Sequence, residues 1–182
     1  LIAIRDKGRD GFYTGTVAEK IAAEMQQHNG IISTDDLKNY QAVWREPIKG
    51  TYKNYTIISM PPPSSGGIAL MQLLNMMENY PLKKWGFHSV NSVSIMTEAE
   101  KRVYADRATW LGDPDFTKVP KNELISKSYS ASRMQNVDTN TVTPAAQIKA
   151  GTFTGYESEE TTHFSIVDKY GNAVSITTTL ND

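Results

Sequence analysis

The sequence predicts an α+β fold on three observations. Apolar residues recur at helical spacing over 11–28, from Ile68 to Met77 and over 89–111; strand formers crowd residues 52–58; and 162–179 alternates in polarity around a turn. With 182 residues, 39% hydrophobic and 21% charged, the chain is of ordinary globular composition and long enough for one real core. Nineteen basic against twenty acidic residues give a net charge of -1, and Lys and Arg nowhere collect densely. Neither nucleic acid nor an anionic membrane surface is therefore expected as a partner. Without cysteine there are no disulfides and no thiolate metal sites, and His28, His88 and His163 are too far apart for a local zinc spacing. No membrane segment is expected, since no apolar run approaches the ~18 residues a span needs. The chain opens at Leu1-Ile2-Ala3 with no initiator Met or signal layout and stops at Leu180-Asn181-Asp182 directly after a strand-like Thr run. Both ends suggest a piece of a longer protein.

In order, residues 11–28 place Val17, Ile21, Ala22 and Met25 on one helical face, and His28-Asn29-Gly30 supplies the stop. Ser33 and Asp36 stand at capping-box spacing and open a short helix to about Tyr40. Residues 43–60 read as extended, with Asn54 a turn position inside Tyr52-Lys53-Asn54-Tyr55-Thr56-Ile57-Ile58. Pro61-Pro62-Pro63-Ser64-Ser65-Gly66-Gly67 is a stiff loop running into the helix of Ile68, Met71, Leu74 and Met77. Two roles fit it: serine as cap with glycine as turn residue, or an anion seat at a helix N-terminus. A P-loop lysine is missing, which disfavours nucleotide binding.

A further helix runs from Ser89 through Val93, Met96, Ala99, Val103 and Leu111, with Glu98, Glu100, Lys101, Arg102 and Asp106 mostly outside that stripe. Glu98 and Arg102, four apart, are expected on a solvated, salt-bridged face. Asp113-Pro114-Asp115 ends the helix. Asp106-Arg107 and this triplet could be read as carboxylate catalysis or a metal site, but an internal ion pair and a helix-ending turn are the simpler expectations. Residues 116–156 are polar and irregular, and are expected to wrap the surface.

Thr162 to Val167 and Ala173 to Thr179 are separated by Asp168-Lys169-Tyr170-Gly171-Asn172, a loop of hairpin length. Pairing Val167 with Ala173 puts Thr161 opposite Thr179, with Cβ atoms about 5 Å apart. Alternation gathers Thr161, His163, Ser165, Ser175, Thr177 and Thr179 on one face and Phe164, Ile166, Val174 and Ile176 on the other. The first face either meets water or lines a site.

The string Tyr156-Glu157-Ser158-Glu159-Glu160-Thr161-Thr162-His163-Phe164-Ser165-Ile166-Val167-Asp168, with Gly171-Asn172-Ala173-Val174 and Thr179-Leu180-Asn181, resembles the maturation junction of the gamma-glutamyltransferases (gamma-glutamyltranspeptidases). Upstream, Gly11-Phe12-Tyr13-Thr14-Gly15, Met60 to Ile68, Glu98-Ala99-Glu100-Lys101, Tyr104 to Arg107 and Leu111 to Phe116 extend the resemblance, in order, over nearly the whole chain.

The resemblance implies a proenzyme of the N-terminal-nucleophile class, cut between Glu160 and Thr161. Residues 1–160 would be the end of a large subunit and 161–182 the start of a small one, within a four-layer αββα sandwich of which this chain holds a part. It further implies γ-glutamyl transfer or hydrolysis on glutathione and related amides, an amino-acid or peptide acceptor, no cofactor or metal, the remainder of both subunits as partners, and a periplasmic or extracellular location. Thr161 would be the nucleophile, Thr179 the threonine that hydrogen-bonds it, and Asn181 the residue holding the glutamyl α-amino and carboxylate groups. The chemistry suits a threonine. The Thr161 hydroxyl attacks the Glu160 carbonyl, water hydrolyses the resulting ester, and the freed α-amine, of ordinary pKa roughly 7.7 to 8.0, serves as base for the same hydroxyl. His163, two residues away on the same face, is the rival base.

Three requirements of the family pattern fall outside these residues: an earlier arginine for the substrate carboxylate, a distal Ser-Ser pair and a Gly-Gly pair that builds the oxyanion hole. Alone, the 182 residues are expected to be inactive, because an oxyanion hole is worth about 3 kcal/mol or more. A related acylase, a poly-γ-glutamate depolymerase and a non-catalytic homologue are the alternatives.

Overall fold

The structure, a computed structural model, describes residues 1–153, the strands Thr161–Val167 and Ala173–Thr179, and Tyr170. The chain divides into two units, Leu1–Arg45 and Glu46–Asp182, where the composition had suggested a single core. The division falls in residues 40–47, which take no regular structure.

The first unit holds α1 (Ile2–Lys7), α2 (Asp10–Tyr13), α3 (Gly15–Gln27) and α4 (Thr34–Asn39). The helix expected over 11–28 is thus broken near its start. Thr14 is extended (φ -136°, ψ 169°), its hydroxyl bonds back to the Asp10 carbonyl at 2.8 Å, and Gly15 takes φ +63°. A side chain that bonds its own backbone, followed by a left-handed glycine, interrupts the helical ladder despite the favourable apolar spacing. The predicted stop does form: Asn29 is left-handed (φ 58°) and the Gly30 amide reaches the Met25 carbonyl at 2.6 Å, the six-to-one bond of a Schellman end. The capping box is present as well, with the Asp36 amide donating to Ser33 Oγ at 3.2 Å and the Ser33 amide to Asp36 Oδ2 at 2.8 Å. Arg9 Nη2 donates to the carbonyls of Lys38 and Tyr40, and Tyr13 stacks on Tyr40 at 5.4 Å, tying α2 to the end of α4.

In the second unit β1 (Ile48–Tyr52) and β2 (Tyr55–Ser59) form an antiparallel hairpin around Lys53-Asn54, with Lys53 at φ 52°. There follow α5 (Gly66–Met77), α6 (Leu82–Trp85), α7 (Val90–Trp110), α8 (Lys121–Leu124), α9 (Lys127–Met134), β3 (Thr161–Val167) and β4 (Ala173–Thr179). The described residues are therefore mixed helix and strand, as the α+β expectation has it, with the strands in two separate two-stranded sheets.

Helix α5 is the axis of this unit. Its Met76 and Met77 join Ile95, Ala99, Val103 and Met134 in one apolar cluster, while Ile68 and Met71 join Ile48 and Leu124 in another. Leu124 and Met134 come from the stretch expected to be irregular surface. That expectation is corrected: α8 and α9 are too short for periodicity to register, yet Ser126 caps α9 by accepting from the Tyr129 amide at 3.2 Å, and both helices deliver core residues. Gly67 lets α5 approach the end of β2, since a Cβ there would lie 2.0 Å from the Met60 carbonyl oxygen. Gly67→Ala should cost about 1–3 kcal/mol, read as a lower urea midpoint at unchanged slope.

Candidate active site at the second hairpin

Strands β3 and β4 pair antiparallel with Thr161 opposite Thr179, His163 opposite Thr177, Ser165 opposite Ser175, and Val167 opposite Ala173. This is the register expected from pairing Val167 with Ala173, and β3 begins one residue before the run from Thr162. In this register Thr161 and Thr179 are a directly opposed pair. His163 stands two positions beyond Thr161 on the same strand. Glu160, Asn181 and the connection 168–172 other than Tyr170 lie outside the described residues.

Upstream of the hairpin, α7 carries a polar ridge that was expected to face water. It is buried instead: Glu98 is 1%, Arg102 7% and Asp106 0% exposed, while Val93 and Met96, placed in the apolar stripe, are 50% and 46% exposed. The helix turns this side inward because α9 and the stretch 143–151 bring polar groups that satisfy each charge. Glu98 Oε1 accepts from the Thr143 amide at 2.9 Å and from Lys101 Nζ, and Oε2 accepts from Arg102 Nη1 at 2.6 Å. Asp106 Oδ1 accepts from the Gly151 amide at 2.9 Å, and Oδ2 from Gln72 Nε2 at 2.9 Å. Buried charges persist where paired and hydrogen-bonded in this way. Burial alone would raise the Glu98 carboxyl. Hydrogen bonds from Lys101, Arg102 and Thr143 outweigh it and lower the group from the ordinary 4.5 to about 2. Burial first, and neighbouring Asp106 second, push the Tyr129 hydroxyl up.

The ion pair expected within Asp106-Arg107 is made differently. Asp106 pairs with Arg133 at 3.0 Å, and Arg107 Nε donates to Ser65 Oγ at 2.9 Å. Consecutive helical residues point apart, so neighbours in sequence find different partners. Ser65 consequently makes no side-chain cap, and Ser64 Oγ accepts from the Gly66 amide at 3.3 Å. Asp113 forms the expected turn, accepting from the Asp115 amide at 3.0 Å. Among the described residues no three acidic or histidine side chains converge as metal ligands, and no helix is long and apolar enough to cross a membrane.

What the periodicity reading missed is the ridge Glu98, Arg102, Asp106 and Trp110. Its four-residue spacing is a usable signal, because such a row lies along one side of a helix.

The family model described as Gamma-glutamyltranspeptidase matches residues 1–182. The glutathione hydrolase proenzyme of Escherichia coli (strain K12) is 52% identical over 178 residues, covering 98% of this chain and 31% of its own length. The acylase ACY 1 proenzyme of Pseudomonas sp. (strain SE83) is 40% identical over 178 residues, with the same two coverages of 98% and 31%. Among solved structures, Helicobacter pylori gamma-glutamyltranspeptidase superposes with a TM-score of 0.77 at 43% identity, over 87% of this chain and 46% of that one. This chain spans about a third of the length of the curated relatives it matches. With its full length matched and its hairpin in the expected register, the chain belongs to the gamma-glutamyltranspeptidase family.

Proposed function

We propose that these residues are part of a self-cleaving glutathione hydrolase and γ-glutamyltransferase whose nucleophile is Thr161. The carrying observation is the opposition of Thr161 and Thr179 across β3 and β4 in a chain of this family. During maturation the Thr161 hydroxyl attacks the Glu160 carbonyl and the peptide nitrogen leaves as the Thr161 α-amine. Water then hydrolyses the ester, leaving a carboxylate on Glu160 and restoring the hydroxyl. In turnover the α-amine takes the hydroxyl proton, Thr161 Oγ1 attacks the γ-glutamyl carbonyl, and the proton passes to the departing amine. The acyl-enzyme yields to water or to the amine of an amino acid or peptide. Thr179 orients the Thr161 hydroxyl, and Asn181 holds the glutamyl α-amino and carboxylate groups. The remainder of both subunits completes the αββα sandwich and the oxyanion hole. Residues 1–160 end the large subunit and 161–182 open the small one, in a periplasmic or extracellular enzyme.

A second reading, an acylase acting on another amide, is favoured by the 40% identity to the acylase ACY 1 proenzyme. The two part on the α-amino group. A site that hydrogen-bonds this group should reject an analogue lacking it by about 10²-fold or more. The full-length protein should release p-nitroaniline from γ-glutamyl-p-nitroanilide faster than from glutaryl-p-nitroanilide by that factor, and should cut the amide bonds of poly-γ-glutamate more slowly still. A preference for glutaryl would select the acylase reading, and no turnover of any of the three would favour a non-catalytic homologue.

A further inference from the structure

Asn29-Gly30 is the one Asn-Gly dipeptide of the sequence. Such a pair is chemically labile: with no Cβ on the following residue, its amide nitrogen reaches the asparagine Cγ unhindered and closes a five-membered ring. In this fold the pair forms the Schellman end of α3. Asn29 takes the left-handed position (φ 58°) where glycine is commonest, and the Gly30 amide donates to the Met25 carbonyl at 2.6 Å. The His28 amide closes the same turn on the carbonyls of Glu24 and Met25, each at 3.2 Å. The proton that has to leave before the ring can close is therefore the one that ends the helix. Both residues of the pair are exposed, and the chain runs on through Ile31, 95% exposed, to the capping box of α4. Water and solvent base reach the pair, so hydrogen bonding and not burial is what restrains it.

We propose that Asn29 is a site of spontaneous modification, converting to aspartate and isoaspartate, and that the bond from the Gly30 amide to Met25 is the gate that sets its rate. Released from Met25, the Gly30 amide gives its proton to a base in solvent and its nitrogen bonds to Asn29 Cγ. The Cγ–Nδ2 bond breaks, and Nδ2 takes a proton from water and leaves as ammonia. Water then opens the succinimide. Opening at Cγ leaves aspartate in a normal backbone; opening at the Asn29 backbone carbonyl leaves isoaspartate, with the chain running through Cγ. Ammonia is exchanged for water, and nothing is oxidised or reduced. A helix end opens and recloses quickly, so conversion follows the fraction of time the end is open. One hydrogen bond of ordinary net strength should hold the folded-state rate about tenfold below that of the unfolded chain. Either product sets a carboxylate at the C-terminal end of α3, where the helix dipole disfavours negative charge. Isoaspartate also adds a methylene to the backbone and shifts the Gly30 amide off the Met25 carbonyl, so conversion destroys the gate and loosens the turn between α3 and α4. The inference holds whichever residue is the nucleophile.

The test follows full-length protein in mildly alkaline buffer, folded and in guanidinium chloride. Mass spectrometry reads the peptide that carries residue 29, and an isoaspartyl methyltransferase measures its isoaspartate. Deuterium exchange at the Gly30 amide is read on the same folded sample. Residue 29 should convert in the unfolded chain and about tenfold or more slowly in the folded one, with the Gly30 amide protected from exchange. Gln26→Gly, in the exposed last turn of α3, should loosen the helix end and speed folded-state conversion about fivefold, leaving the unfolded rate unchanged. Asn29→Gln, whose ring would have to be six-membered, should leave the peptide unmodified. Equal rates in the folded and unfolded chain, an unprotected Gly30 amide, or a folded-state rate that Gln26→Gly does not change would overturn the gate. An unfolded chain that stays unmodified at residue 29, or a peptide that gains the same mass in Asn29→Gln, would overturn the site itself.

Discussion

Full-length protein carrying Thr161→Ala should lose γ-glutamyl turnover by about 10⁴-fold or more, the range seen when a covalent nucleophile and the base acting with it are removed as a unit. One substitution deletes three functions here. Without the hydroxyl there is no acyl shift, without the acyl shift no new N-terminus, and without that N-terminus no α-amine to act as base. Thr161→Ser keeps the hydroxyl and should therefore still mature and turn over, more slowly than wild type because the methyl group that restrains the threonine rotamer is gone. Initial rates on the γ-glutamyl p-nitroanilide measure both variants. A rate for Thr161→Ala within tenfold of wild type would move the nucleophile elsewhere, with His163 the first residue to re-examine as part of an alternative pair.

Glu98→Ala should destabilise the precursor by about 3–5 kcal/mol, the usual cost of removing one partner from a buried ion pair. The loss strands the Arg102 guanidinium, the Lys101 ammonium and the Thr143 amide, all of which donate to this one carboxylate. The same site makes stability depend on pH. The folded-state pKa, about 2, lies below the ordinary 4.5, so the ionised carboxylate stabilises the fold above pH 4.5, and this contribution is lost as pH falls from 4.5 toward 2. The contribution is about 3 kcal/mol when fully present. Urea midpoints of the full-length protein across that window should fall for wild type and change less for Glu98→Gln, which has no charge to lose. Parallel pH profiles for the two would show that Glu98 is not held in its charged form by the fold.

The parts of the fold legible from sequence are those set by neighbours. Ser33 with Asp36, and Asn29 with Gly30, define helix ends because caps and left-handed turns act over three or four residues. The β3–β4 register follows from closing the short loop with Val167 against Ala173, and alternation guards it, since a slip by one residue would exchange the two faces entirely. Helix α7 shows where such reasoning stops. Its length and its Ser89 cap are local, but which side is buried depends on Arg133, Thr143 and Gly151, between 27 and 45 residues from their partners. Apolar periodicity ranks Val93 and Met96 as core and Glu98 and Asp106 as surface, because it cannot count a distant amide as compensation for a buried charge. Thr14 shows a smaller failure, where a hydroxyl and a glycine override an otherwise helical run. The pairing of Thr161 with Thr179 is visible in the pattern of the hairpin; the role proposed for that pair comes from the motif around it.

The intact masses of full-length wild-type protein and its Thr161→Ala variant test the central claim most directly. Two wild-type chains are expected, with masses that place the break between Glu160 and Thr161, against one uncut chain for the variant. An uncut wild type, a break at another bond, or a variant cut at the same bond would contradict the assignment of Thr161 as the nucleophile.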